Sequence, residues 1–288
     1  MALGQPLLLV AAGALSLLGY VLKAYGWERL FARSERPRPL ALAAAMGGAS
    51  VTAIVLPGRL DDVVRIAIVR RFRDCPAGVR ALCLSLAMLG LIDTVALAPL
   101  ALTAAALPGQ SITLRVGLAL LGCAGLAAVA VIVALPRMAE STSLLRFRLG
   151  RWLHPRTTSS RDAVAAWSFV SACWLTRVFG LVLLFGALGV GFSFTLALLF
   201  LCASSAAAAL PLGPGGTATQ AGAGAAVLIA SGVGVSEAFG VAAASHGLGI
   251  IVGGAIFVGA SGWRTGVRLA PRYRARPSAG IQQSLAQP

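Results

Sequence analysis

Acidic side chains are scarce in this sequence. Nine aspartates and glutamates stand against 24 lysines and arginines among 288 residues, and Lys23 is the sole lysine. Charged residues of both signs make up only 11%, whereas apolar ones reach 58%. A soluble domain of this size would struggle to stay in solution with so little polar surface, so that class is excluded in favour of a polytopic membrane protein. Metal-ligand spacing is missing as well. The five cysteines, Cys75, Cys83, Cys123, Cys173 and Cys202, are scattered among mostly apolar neighbours and read as packing residues. No nucleophile–base set, zinc pattern, nucleotide phosphate loop or soluble catalytic domain is recognisable. A self-contained enzyme, a cofactor and a metal are therefore not expected.

What the chain does contain is apolar runs separated by arginines. The net charge of +15 comes in short basic stretches between those runs, the pattern of cytoplasmic membrane loops, and anionic headgroups account for it better than nucleic acid. Leu7 to Tyr25 forms the first span; Met1 to Pro6 carries no positive n-region, so the run is expected to be retained rather than cleaved. Further spans are expected over Val79 to Leu107, Leu114 to Leu135, Ala163 to Val190, Ala218 to Gly232 and Glu237 to Gly262. Pro136 to Asp162, the longest polar connector, is expected to be a basic cytoplasmic loop, and residues 263–288 a basic, mobile tail.

Two apolar runs stop abruptly. Phe192 to Leu210 meets Pro211-Leu212-Gly213-Pro214-Gly215-Gly216, and Leu40 to Leu56 meets Pro57-Gly58-Arg59-Leu60-Asp61-Asp62. Proline and glycine end a helix there, and free backbone polar groups at membrane depth are tolerated where protein buries them or water reaches them. Leu56-Pro57 and Leu210-Pro211 lie 154 residues apart, as do Lys23 and Arg177. This register predicts an internal repeat, residues 1–135 and 163–262 joined by connector 136–162, in one transmembrane domain over 1–262. The expected architecture is all-α, with about six to eight transmembrane helices and an inverted repeat carrying two re-entrant broken elements. Six spans plus the two re-entrant elements is the favoured count, with the first element bent at Gly47-Gly48.

Ionisable groups beside the breaks are the candidate site. Asp61 and Asp62 precede Arg65 by four and three residues, so either carboxylate can pair with its guanidinium on a helix. Arg59 and Arg65 offer planar forks suited to phosphate, although the same stretch also reads as a solvated loop entering a surface helix. Gly213, Gly215 and Gly216 would present backbone amides to an anion, or form a simple tight turn, and Gln220 follows one turn later. Asp93 lies well inside an apolar run, where an unpaired charge costs about 2.5–3.5 kcal/mol. Lys23 and Arg177 are expected to be snorkelling anchors at the interface, and His246 a packed, hydrogen-bonded group. Small residues at Ala218, Gly222, Ala226, Ala230 and Gly234, and again at Gly249 and Gly253, allow close helix contact.

At these residues the sequence resembles the lysylphosphatidylglycerol synthase transmembrane family. One family signature runs Pro-x-Arg-x-Gly-Glu-x-x-Arg, and Pro57, Arg59, Asp62 and Arg65 match it, with Asp61 at the glycine. A second runs Pro-x-x-Pro-Gly-Gly-x-Gly-x-x-Glu; Pro211, Pro214, Gly215 and Gly216 match, while Ala218 and Ala221 stand at the glycine and glutamate. Asp93 fits the acidic position of an Arg-x-x-Asp pattern whose arginine is Gly90 here, and Trp27 and Trp174 fit further family positions.

The resemblance implies a stand-alone, flippase-like member without an aminoacyl-transfer domain. It would translocate a phospholipid or polyprenyl-linked lipid between leaflets of the cell inner (cytoplasmic) membrane. Under that reading Arg59, Asp61, Asp62, Arg65, Asp93, Gly213, Gly215, Gly216 and Gln220 bind substrate, and Pro57, Gly58, Pro211 and Pro214 break the helices. Its partners would be membrane lipids with anionic headgroups. A homo-oligomer stays open, as does the alternative of a non-transporting subunit that binds lipid or a partner glycosyltransferase or synthase.

Overall fold

The computed structural model of the protein describes residues 4–53, 56, 60–72, 75–139, 159–209 and 216–269. Among these are nine α-helices and no strand. In chain order they are α1 (Gly4–Glu28), α2 (Pro39–Thr52), α3 (Leu60–Arg71), α4 (Val79–Ala106), α5 (Ile112–Ala139), α6 (Ser160–Ala187), α7 (Phe194–Ala209), α8 (Gly216–Ala230) and α9 (Val235–Leu269). Five of them, α1, α4, α5, α6 and α9, are long and apolar enough to cross a membrane. The chain is a multi-pass membrane protein.

The four remaining helices are short and come in two consecutive pairs. At 1.5 Å per residue, the 14 residues of α2 span about 21 Å and the 16 of α7 about 24 Å, less than a hydrocarbon core. Ala218 to Gly232, expected as a span, falls largely in α8, a helix of only 15 residues. Arms α2 and α3 pack on each other, as do α7 and α8. Local sequence explains α3: Asp61 and Asp62 sit in its first turn and Arg70 and Arg71 in its last, each sign at the favourable end of the helix dipole. Ser159 caps α6 by accepting the backbone N–H of Asp162 at 3.2 Å.

The expected bend at Gly47-Gly48 is corrected by the structure, in which α2 runs unbroken from Pro39 to Thr52. These glycines serve packing instead. A Cβ on Gly47 would collide with the Gly253 carbonyl of α9, and one on Gly48 with Ile68 of α3. Without a hydrophobic driving force between helices in lipid, such close backbone approach is what holds them together. The same device recurs at Gly125 of α5 against Ala98 of α4, and at Gly224 of α8 against Phe200 of α7.

Helices α1 and α6 form the most extensive pair and run antiparallel. Gly26 of α1 meets Ala166 and Val170, Gly19 meets Cys173 and Thr176, and Gly180 approaches Ala12 and Leu15. Helix α4 crosses α1 through a buried polar link, Trp27 Nε1 donating to Ser85 Oγ at 2.9 Å and Ser85 Oγ donating to the Leu82 carbonyl at 2.8 Å. The contacts also come in matched sets: α1 with α2 and α6 with α7, α1 with α9 and α6 with α4, α2 with α9 and α7 with α4, α3 with α4 and α8 with α9. Helix α5 stands outside this scheme and packs chiefly on α4.

Candidate functional site

A cavity of about 350 Å³ lies where the two short-helix pairs approach the long helices. Every helix except α5 contributes to its wall. The first pair brings Ser50, Ala53, Asp61 and Arg65; the second brings Ser204, Ser205 and Gln220; α1, α6 and α9 add Ser16, Tyr20, Lys23, Arg177, Ser245 and His246. Leucines and phenylalanine from α4, α6 and α7 complete it. The wall thus alternates hydroxyls and charges with apolar surface, as a ligand site for an amphipathic molecule requires.

Asp61, Arg65 and Gln220, three of the candidates, share this one cavity although 155 residues separate Arg65 from Gln220. Arg65 is held on both sides. Its Nη2 meets Asp61 Oδ2 at 2.7 Å and its Nη1 meets Asp62 Oδ1 at 2.7 Å, the i−4 and i−3 pairing that the helix spacing allows. Both terminal nitrogens of the fork are therefore committed to carboxylates, and only Nε, buried, lacks a partner among the described residues. Asp62 supports Arg65 from outside the wall. Arg59, Gly213 and Gly215, with the breaks Pro57, Gly58, Pro211 and Pro214, lie outside the described residues, as do 140–158 of the connector and 270–288 of the tail. Gly216 opens α8.

Lys23 and Arg177 are not interface anchors, because both line the cavity. Lys23 Nζ pairs with Asp93 Oδ2 at 2.7 Å, their side chains 16% and 22% exposed. Asp93 is thus tied to the cavity wall through Lys23, and its Oδ1 is buried with no partner among the described residues. Both cations lie over the indole of Trp174, Lys23 Nζ at 5.9 Å and Arg177 Cζ at 5.2 Å from the ring centroid. Arg177 has no carboxylate within salt-bridge reach among the described residues, so it is the cation left to meet an incoming anion. The signal in the sequence was the shared 154-residue register of Lys23 and Arg177.

Several neutral groups complete the constellation. Ser204 is 8% exposed, lines the cavity, and its Oγ has no partner among the described residues. His246 is hydrogen-bonded as expected, Nδ1 lying 2.9 Å from the Ala242 carbonyl, yet it also faces the cavity. Tyr20 Oη donates to the Gly249 carbonyl at 3.2 Å and ties α1 to α9 at the wall. Nothing in local sequence distinguished Ser204 from any other small residue of an apolar run. Among the described residues no group of three metal-ligating side chains occurs.

Compared with known families, residues 1–256 match the family described as the lysylphosphatidylglycerol synthase TM region. The chain belongs to that family. The match spans all nine helices up to the last turns of α9. No curated protein and no solved structure matches the chain. Membership in the lysylphosphatidylglycerol synthase TM region family makes this a membrane protein of lipid-related function. Ala221, where the resemblance led one to expect a glutamate, instead packs its methyl group against the core beside Gln220.

Proposed function

We propose that the protein moves a lipid across the cell inner (cytoplasmic) membrane without chemically altering it, passing the headgroup through the cavity while the acyl chains stay in the bilayer. The observation that carries this reading is the convergence of two broken helix pairs, with Arg65, Arg177, Lys23 and Ser204, on one polar cavity inside a membrane protein. Helices too short to span, whose arms pack back on each other, suit re-entrant elements that place irregular backbone at membrane depth around a wet site. The antiparallel α1 and α6 and the matched contact sets support two inverted repeats, α1–α4 and α6–α9, that would rock against each other to expose the cavity to either leaflet.

Purified protein reconstituted into vesicles with an acyl-labelled phospholipid tests this directly. The labelled lipid is expected to reach the opposite leaflet faster than in protein-free vesicles, and to be recovered unchanged by mass spectrometry. Arg177→Gln should slow the movement roughly tenfold, the scale of one lost charge-assisted hydrogen bond. Protein that is folded but moves no phospholipid would overturn the proposal, and a chemically altered lipid would point to an enzyme.

A further inference from the structure

The cavity carries both signs of charge on opposite members of the fold. On α6, Arg177 stacks on Trp174 and has no carboxylate partner among the described residues. On α3, Asp61 gives Arg65 only its Oδ2, and Oδ1 has no partner among the described residues. Arg65 must also serve Asp62, so it compensates Asp61 only in part. Asp93 makes its ion pair with Lys23 and makes none with Arg177 among the described residues. An unpaired guanidinium and a half-compensated carboxylate in a low-dielectric site each favour an opposite charge arriving with the ligand. The unpartnered, nine-tenths-buried hydroxyl of Ser204, lining the same cavity, is a further group awaiting a polar ligand.

We infer that the cavity recognises a zwitterionic headgroup, a phosphate diester beside a primary ammonium, with the phosphate at Arg177 and the ammonium at Asp61. This rests on the reading of the cavity as a lipid-headgroup site and narrows its substrate class. A purely anionic headgroup would satisfy Arg177 but bring a polyol to Asp61, whose hydroxyls can donate to the carboxylate yet carry no positive charge to offset it. A quaternary ammonium would supply charge without the N–H donors that a carboxylate oxygen accepts.

Equilibrium binding separates this inference from the transport reading, because it needs no movement. The full-length protein in detergent is titrated with short-chain phosphatidylethanolamine, phosphatidylglycerol and phosphatidylcholine, and bound lipid is counted by native mass spectrometry. Phosphatidylethanolamine is expected to bind roughly tenfold more tightly than either other lipid. Asp61→Asn should abolish that preference while leaving phosphatidylglycerol binding in place, Asp61→Glu should retain it, and Arg177→Gln should weaken all three. Glycerophosphoethanolamine is the control for source: competition by this soluble compound alone supports recognition of the free zwitterion, and competition only by the diacyl form supports recognition of the lipid. Equal binding of phosphatidylglycerol, or a preference that survives Asp61→Asn, overturns the inference even if lipid movement is observed. Absence of movement with the preference intact overturns transport alone.

Discussion

The Lys23–Asp93 ion pair ties Asp93 to the cavity wall, and its energetics follow from its setting. Two charges, each less than a quarter exposed, neutralise one another between α1 and α4. Removing one partner leaves the other uncompensated, which costs far more than the pair contributes as a whole. Asp93→Asn or Lys23→Met alone should each lower stability by roughly 3 kcal/mol, and the double variant Lys23→Met/Asp93→Leu should recover most of that loss. Thermal unfolding in detergent reads the difference; strictly additive losses would show that the pair is not coupled. Arg65 differs at the same scale, since each of its two terminal nitrogens already meets a carboxylate. Local spacing made that pairing foreseeable, because i+3 and i+4 neighbours on a helix must meet. Nothing local showed that Arg177 would be left without an ion-pair partner among the described residues.

At the scale of elements, glycine does different work in different helices. Gly47 of α2 lies against the Gly253 backbone, a neighbour that cannot yield as a flexible side chain would. Gly90 of α4 is exposed and has nothing near its missing Cβ. Gly47→Ala is therefore expected to destabilise by about 2 kcal/mol through forced separation of α2 and α9. Gly90→Ala should stabilise by up to about 1 kcal/mol through helix propensity. Melting temperatures of the two variants in one detergent decide the matter, and equal shifts would sink the assignment. From sequence the Gly47-Gly48 doublet predicts a hinge, because glycine permits both bending and close approach. Which of the two it serves depends on whether another helix stands opposite, and here α9 and α3 do.

Whole-molecule topology follows from combining chain order with the two helix pairs. If α2–α3 and α7–α8 return to the side they start from, as the proposed re-entrant reading requires, five spans remain, and the start of α1 and the end of α9 fall on opposite faces. The stretch Arg29 to Arg38 and the helix ends that carry Arg70 and Arg71, Arg137, Arg161, and Arg264 and Arg268 then share one face. Segments 107–111, 188–193 and 231–234, which contain no lysine or arginine, occupy the other, where Arg115 is the sole nearby exception. The pair Arg36 Nη2 to Asp162 Oδ1, at 2.9 Å, joins the α1–α2 connection to the start of α6 on one side, as this arrangement requires. Under the positive-inside rule that face is cytoplasmic. We therefore predict that, in a cysteine-free background, Gly109→Cys is labelled by an impermeant thiol reagent from outside intact cells. Ser159→Cys should be labelled only after permeabilisation. The reverse pattern, or labelling of both from outside, would overturn the topology.

Composition and apolar run length by themselves determined that the chain is an all-α multi-pass membrane protein, because lipid admits few ways of satisfying a backbone. Proline and glycine marked where α2 and α7 must end, and short motifs carried the family resemblance. Only the tertiary structure decided that Asp61, Arg65 and Gln220 share a cavity, and that Lys23 and Arg177 face inward with them. The orientation of a charged side chain within an apolar helix depends on which helices surround it, and that information is non-local. Span number was undecided for the same reason: a 15-residue apolar helix reads as part of a span until its neighbour is seen packing back against it.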